Sequence, residues 1–380
     1  MSEILEYLIK NQSGIEETLL KLVKAESPST NKKLVDACGD VLQAEYEGLI
    51  GGQYERIDKE VVGDQFRFSI GSGDEQLLII GHYDTVWDAG QLPIEQKDGK
   101  LYGPGTFDMK GGLTVSLWAM KALKDLGYEL NRKVMFLVTS DEEIGSEHSR
   151  KLIEEEAKKS LYVFVPESSI PPNGDIKTAR KGVGMYKMRI KGIPVHAGNA
   201  PDKGVNAIEE LALQITDLSK LTNHQEGTTV TVGVVSGGTR SNVKAEYAEA
   251  EIDVRFITKE QGVMLDEQVR NRKPFLPQAI VEVDGEINRF PLERTEESAR
   301  LFEEIREITL RHGYDLKEGL SGGGSDGNLT FAVGTPTIDG LGPVGDGPHA
   351  RNEHVVLGNL PYRAALLAEL LLKHVHVKKD

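Results

Sequence analysis

The apolar positions of this chain fall into two textures. In the first, short unbroken apolar runs alternate with helical patterns. Residues 77–81 (LLIIG), 133–139 (KVMFLVT) and 161–165 (LYVFV) have strand length and little polar alternation, the pattern of strands covered on both faces. Between them, 111–126 (GGLTVSLWAMKALKDL) spaces its apolar residues as a helix does and is stopped by Gly127, and 146–160 predicts a charged helix. Residues 1–47 predict helices with a break near Ser27-Pro28-Ser29. Runs separated by helices predict a mixed or parallel sheet with helices on both sides.

Around residue 174 the texture changes. A long strand with glycine breaks is expected over 177–191, an amphipathic helix over 204–221, strands over 228–236 and 243–256, a helix over 259–272 and a strand over 279–287. That order, β-α-β-β-α-β, is the split βαβ pattern of a ferredoxin-like domain. From about 291 the first texture resumes, with a helix over 298–312, a glycine-rich loop at 319–327, short runs and a last helix near 361–375. The expected fold is α/β: a mixed-sheet domain of residues 1–176 and 290–380, interrupted by an inserted ferredoxin-like domain of residues 177–289.

Composition narrows the function. The 380 residues, 39% hydrophobic, suit about two domains. Asp and Glu outnumber Lys and Arg, 60 to 45, for a formal charge of -15, which argues against nucleic acid or an anionic membrane as partner. Cys38 is the single cysteine, so no intrachain disulfide forms. The acidic amphipathic N-terminus does not read as a signal peptide, and no apolar stretch reaches the ~18 residues of a membrane span. A soluble cytoplasmic protein is expected.

The candidate chemistry lies where the apolar runs stop, the usual place for ligands in an open α/β sheet. His82 and Asp84 follow the first run and, if the strand continues, share a face. Asp108 lies in the glycine-rich YGPGTFDMKGG before a helix, a position that also suits an N-cap. Asp141, Glu142 and Glu143 follow the second run; three adjacent acids call for a cation or proton, or sit at a solvated helix start. Glu167 follows the third run, and His349 and Glu353 lie in GDGPHARNEH, where both also read as ordinary surface residues. His196 precedes a helix, and SGGGSDGN has glycines able to offer N–H groups but lacks the ending of a phosphate loop. Histidines and carboxylates without cysteine suit zinc or a similar divalent ion, and so many ligands suit a pair bridged by a carboxylate.

In this order GHYDTV, GPGTFDMKGG, TSDEEIGS, VPESS, PVHAG, GGGSDGN and GPHARNEH resemble the zinc-dependent exopeptidase and deacylase family that includes glutamate carboxypeptidase, aminoacylase, the acetylornithine and succinyl-diaminopimelate deacylases and peptidase T. The resemblance runs from about residue 10 to 373. It implies two divalent ions, zinc favoured: His82 and Glu167 on one, Glu143 and His349 on the other, Asp108 bridging both. It implies Asp84 as the orienter of His82 and Glu142 as the general base. His196, delivered across a homodimer by the inserted lid, would stabilise the oxyanion. Arg255 would receive the substrate's terminal carboxylate, with Asn242, Gly323 and Gly324 lining the pocket.

Glu rather than Asp at 167 resembles the carboxypeptidase, aminoacylase and deacylase branches, and YGPG with DEEIGS resembles the glutamate carboxypeptidase branch. The residues after His349 depart from that branch, so side-chain specificity is not carried over. The expected activity is release of a C-terminal residue, glutamate favoured, from a small peptide. The alternative is an N-acyl amino acid deacylase such as an acetylornithine deacetylase. A non-catalytic binding protein of this fold should have lost a ligand or the base, yet all six positions are filled. His148, His224, His312, His354, His374 and His376 receive no role; the last two are expected in a solvated tail.

Overall fold

The computed structural model describes residues 2–375. They form two compact units, one of residues 2–179, 294–321 and 325–375, the other of residues 180–293 and 322–324. The first opens with α1 (Glu3–Lys10), α2 (Gln12–Lys24), α3 (Lys32–Leu49), β1 (Gln53–Ile57), β2 (Gln65–Ile70), β3 (Gln76–His82), β4 (Glu95–Lys97) and β5 (Lys100–Tyr102). There follow α4 (Gly111–Asp125), β6 (Lys133–Thr139), α5 (Arg150–Lys158), β7 (Ser160–Val165) and β8 (Ile176–Arg180), which ends at the boundary. The second unit holds β9 (Gly182–Lys191), α6 (Ala207–Ser219), β10 (Thr229–Gly237), β11 (Tyr247–Phe256), α7 (Lys259–Arg270) and β12 (Ile280–Arg289). The chain then completes the first unit with α8 (Glu296–Arg311), β13 (Glu318–Ser321), α9 (Asp326–Ala332), β14 (Thr337–Asp339), β15 (Gly345–Asp346), β16 (His354–Val356) and α10 (Leu360–Val375).

The fold is α/β, with an eight-stranded mixed sheet ordered β1-β2-β6-β3-β7-β14-β8-β13. Its centre, β6-β3-β7-β14, is parallel, and β1, β2 and β8 pair antiparallel. All seven residues of β3 are buried. Leu77 and Ile79 join the core that includes Leu117, Leu366 and Leu370, from α4 and α10. Leu78 and Ile80 face the other way, into a core with Ile153, Ala157 and Leu329, from α5 and α9. Burial on both faces is why these strands read as unbroken apolar runs.

In the second unit an antiparallel sheet ordered β10-β11-β9-β12 carries α6 and α7 in the split βαβ order. Met188, Ile190, Ala250, Ile252 and Val254 pack with Leu211, Leu218, Leu265 and Val269. One covered face explains the alternation along β9 and β11.

Several local expectations are corrected. The strand over 177–191 is two strands, β8 and β9, in different sheets. The charged helix begins at Arg150, not 146, because Ser146 takes a left-handed φ of 57° and its N–H returns to the Asp141 carbonyl. A further sheet, β15-β16-β5-β4, was not expected; its strands of two or three residues are too short for periodicity to show. His374 is no solvated tail: it belongs to α10, pairs with Glu304 at 2.7 Å and packs on Tyr162. His376 lies outside the described residues. Among the described residues, no helix is long and apolar enough to cross a membrane.

Candidate metal centre

Three adjacent parallel strands set the site. β6, β3 and β7 run the same way, with His82 level with Thr139. Their carboxyl ends therefore deliver His82, the segment from Asp141 to Glu143, and Glu167 to one edge of the sheet.

There His82 Nε2 lies 3.2 Å from Glu167 Oε1, 3.4 Å from Asp108 Oδ1 and 4.0 Å from Glu142 Oε2. His349 Nε2 lies 3.3 Å from Asp108 Oδ2 and 3.2 Å from Glu143 Oε2. Asp108 thus turns one oxygen to each imidazole. His82 is buried, whereas the His349 side chain is half exposed on a residue with φ of 60°.

The strand ends at His82, so Asp84 does not share a strand face with it. Contact comes from the turn instead: Nδ1 of His82 is 3.1 Å from the Asp84 carbonyl and 3.3 Å from its carboxylate. Both partners only accept, so Nδ1 carries the proton and Nε2 faces the acids. The Asp84 carboxylate also accepts the Glu142 N–H at 3.3 Å, the Glu143 N–H at 3.2 Å and the Ser29 hydroxyl at 2.7 Å.

Asp108 is not an N-cap. It sits in an irregular turn with φ of -122° and ψ of 95°, and α4 starts at Gly111. Gly112 lets that helix lie hard against the Glu167 segment: a Cβ there would stand 1.8 Å from the Pro166 carbonyl oxygen. Glu353, which the sequence also let read as an ordinary surface residue, is 1% exposed and accepts the N–H groups of Phe107 and Asp108 at 3.0 and 3.1 Å. Behind Glu142 and Glu143, buried Asp326 accepts the hydroxyls of Thr139 and Ser146, and Asp141 accepts the His148 N–H at 2.8 Å. Nothing in the spacing of Ser29 or Asp326 marked them beforehand; for Glu353 the one available sign was its position four residues after His349.

So many carboxylates leave the site short of positive charge. Burial opposes a charge on His82, yet Asp108, Asp84 and Glu167 raise its pKa well above the usual imidazole value. Asp108 and Glu143 push His349 up to about 11. Burial, then the Asp108 charge, push Glu143 up to about 7. Asp108 itself is held well below the usual carboxylate range: the two imidazoles outweigh its burial. Among the described residues, His82 Nε2 and Glu143 Oε1 are buried without a hydrogen-bond partner. Donor atoms of His82, Asp108 and Glu143 lie within 4.8 Å of one another. Orphaned nitrogen and oxygen donors around an excess of carboxylate fit a divalent ion.

The remaining expected residues belong to the second unit. His196 forms a bridge with Val243, and the Ala197 N–H donates to the Asn242 carbonyl at 2.9 Å. Arg255 grips Asp253 with Nε and Nη2 at 2.8 and 2.7 Å. Gly323 and Gly324 accept from Arg180 Nη1 at 3.0 and 3.1 Å, so that buried arginine, not foreseen, holds the glycine loop by its carbonyls.

A mixed α/β sheet with imidazoles and acids gathered at its strand ends defines the class: a metallohydrolase. The chain belongs to Peptidase family M20/M25/M40, whose profile matches residues 78–373. It is 31% identical over 371 residues to carboxypeptidase G2 of Pseudomonas sp. (strain RS-16), covering 95% of this chain and 89% of that one. It is 32% identical over 206 residues to acetylornithine deacetylase of Proteus mirabilis (strain HI4320), covering 49% and 51%. Its fold matches a dinuclear metal-binding M20 peptidase of Bacillus subtilis with a TM-score of 0.69 at 18% identity, covering 95% and 98%.

Proposed function

We propose that this metal-dependent hydrolase is a carboxypeptidase-type exopeptidase that uses two zinc ions to release a C-terminal amino acid, glutamate favoured. The observation that carries the two-ion part of this reading is the division of Asp108 between His82 and His349, with Glu167 beside the first and Glu143 beside the second. His82, Asp108 and Glu167 would hold one ion, and His349, Asp108 and Glu143 the other. Ions held there would supply Lewis acidity, acidifying water and polarising the scissile carbonyl.

The chain's own groups do the rest. Asp84 fixes the His82 tautomer. Glu142 takes the proton of the attacking water and returns it to the leaving amine. His196 donates to the oxyanion. Arg255 receives the substrate's terminal carboxylate; its grip on Asp253 leaves Nη1 for that purpose. The second unit acts as a lid and dimerisation domain. In support, β10 is an edge strand on which Val234 and Val235 are more than half exposed. A fully active monomer by sedimentation would sink that part. A cytoplasmic location agrees with Cys38 as the sole cysteine.

Kinship to carboxypeptidase G2 over most of the chain supports C-terminal release. A second reading, N-acyl amino acid deacylase, draws on the half-length match to acetylornithine deacetylase. Rates on benzoyl-glutamate, folyl-glutamate and N-acetylornithine, measured after metal removal and again after zinc return, decide between them. Zinc-restored release of glutamate supports the carboxypeptidase. Preference for N-acetylornithine moves the enzyme to the deacylases. Full activity without metal overturns both.

A further inference from the structure

We propose that Glu353 is the positioning residue for Asp108: its carboxylate fixes the turn that carries Asp108 and ties it to the segment that carries His349. The inference rests on the di-metal reading of the site.

Four donors converge on this one side chain. Oε1 accepts the backbone N–H groups of Phe107 at 3.0 Å and Asp108 at 3.1 Å. Oε2 accepts the Trp87 indole N–H at 2.7 Å and the Gly105 N–H at 3.3 Å. Asp108 sits at the kink of the irregular turn over Thr106–Lys110, with non-helical φ and ψ, and the Lys110 N–H closes that turn on the Gly105 carbonyl at 2.8 Å. The N–H groups of Phe107 and Asp108, inside that turn, are held by Glu353, so its carboxylate helps set the backbone direction from which the two Asp108 oxygens are aimed.

Strand pairing brings the two segments together. β16 pairs with β5, His354 opposite Tyr102, so the chain leaving β5 toward Asp108 runs beside the chain arriving from His349. The Gly103 N–H adds a bond to the Glu353 carbonyl at 3.4 Å. Glu353 closes this junction from a buried position, 1% exposed.

The demand is for a carboxylate. All four partners donate, and an ionised carboxylate is the side chain that only accepts. Glutamine has nearly the same shape, but its NH₂ would face one pair of donors and leave them unpaired. Glu353→Gln is therefore a small lesion aimed at the turn.

The test compares wild type and E353Q as zinc-loaded enzymes. The readouts are the zinc dissociation constants from chelator competition, the visible spectrum after cobalt substitution, kcat and KM separately, and circular dichroism. Loss of a residue that orients a metal ligand costs about 10- to 100-fold in metal affinity or activity. The expected result for E353Q is a native circular dichroism spectrum, zinc held 10- to 100-fold less tightly, an altered cobalt spectrum, and a fall in kcat with KM little changed. A folded E353Q with wild-type zinc affinity and cobalt spectrum overturns the inference. Should E353Q fail to fold, Trp87→Phe removes one anchor of Oε2: several-fold weaker zinc binding supports the inference, and unchanged binding overturns it. Wild type that binds neither zinc nor cobalt sinks the di-metal reading itself, whereas two ions bound equally well by wild type and E353Q sink only the role of Glu353.

Discussion

Asp108 meets His349 through Oδ2 at 3.3 Å, which leaves Oδ1 for His82 at 3.4 Å. In the two-ion reading proposed above, this shared carboxylate would offset the repulsion of two cations held side by side.

Asp108→Asn tests the sharing. Asparagine keeps the shape, loses the charge and has one accepting oxygen instead of two. It should hold at most one zinc tightly and lose more than about 10²-fold in kcat/KM, beyond the usual effect of an outer partner. Metal analysis after dialysis gives the stoichiometry, and two tightly held ions in D108N would show that the carboxylate is not shared.

Glu142→Gln separates proton transfer from metal binding. Glu142 lies 4.0 Å from His82, farther than Glu167 or Asp108. General acid–base groups contribute about 10²–10⁴-fold. The variant should lose that much in kcat with its zinc content unchanged. A parallel loss of zinc would make Glu142 a ligand rather than the base.

Gly112→Ala probes the seat of α4 against the Glu167 segment. The added methyl would meet the Pro166 carbonyl oxygen at 1.8 Å, a backbone atom that cannot swing aside. Overpacking of this kind costs about 1–3 kcal/mol. Urea denaturation should show that loss, with weaker zinc binding as the Glu167 segment shifts. Wild-type stability would mean that the helix and segment separate freely.

Asp64 gives a pH test away from the candidate metal centre. It is 7% exposed and accepts from Lys32 at 3.0 Å, Arg56 at 2.8 Å and the Lys59 N–H at 3.1 Å. Burial pushes its pKa up, but Arg56 and Lys32 outweigh burial, so the net shift is downward. A depressed carboxylate stabilises the fold above its unfolded pKa of about 3.9 and loses that contribution as pH falls through the lower folded value. Asp64→Asn should cost about 1.5–3 kcal/mol at pH 7, the range for hydrogen bonds to a charged group. The gap to wild type should close only below about pH 4. Denaturation across pH 3–7 measures it, and a gap independent of pH would remove the charge from the account.

Much of the site was legible because apolar runs announce where strands end. His82 ends β3, Glu167 follows β7, and Asp141 to Glu143 follow β6. Each is a chemical residue at the end of a segment whose two-sided burial is written in its composition. Contacts made by turns were not legible. Asp84 reaches His82 from beyond the strand, and a left-handed Ser146 delays the following helix. The small sheet that pairs β5 with β16 has no period long enough to read.

The sequence by itself determined the α/β class, the buried strands and the kinds of donor atom at their ends, because burial and local geometry leave periodic traces in a chain. Only the tertiary structure decided which oxygen of Asp108 faces which histidine, and that Glu353, 245 positions away, holds the Asp108 turn. A hydrogen bond between distant segments is chosen by how the strands pair, and it leaves no pattern in either segment.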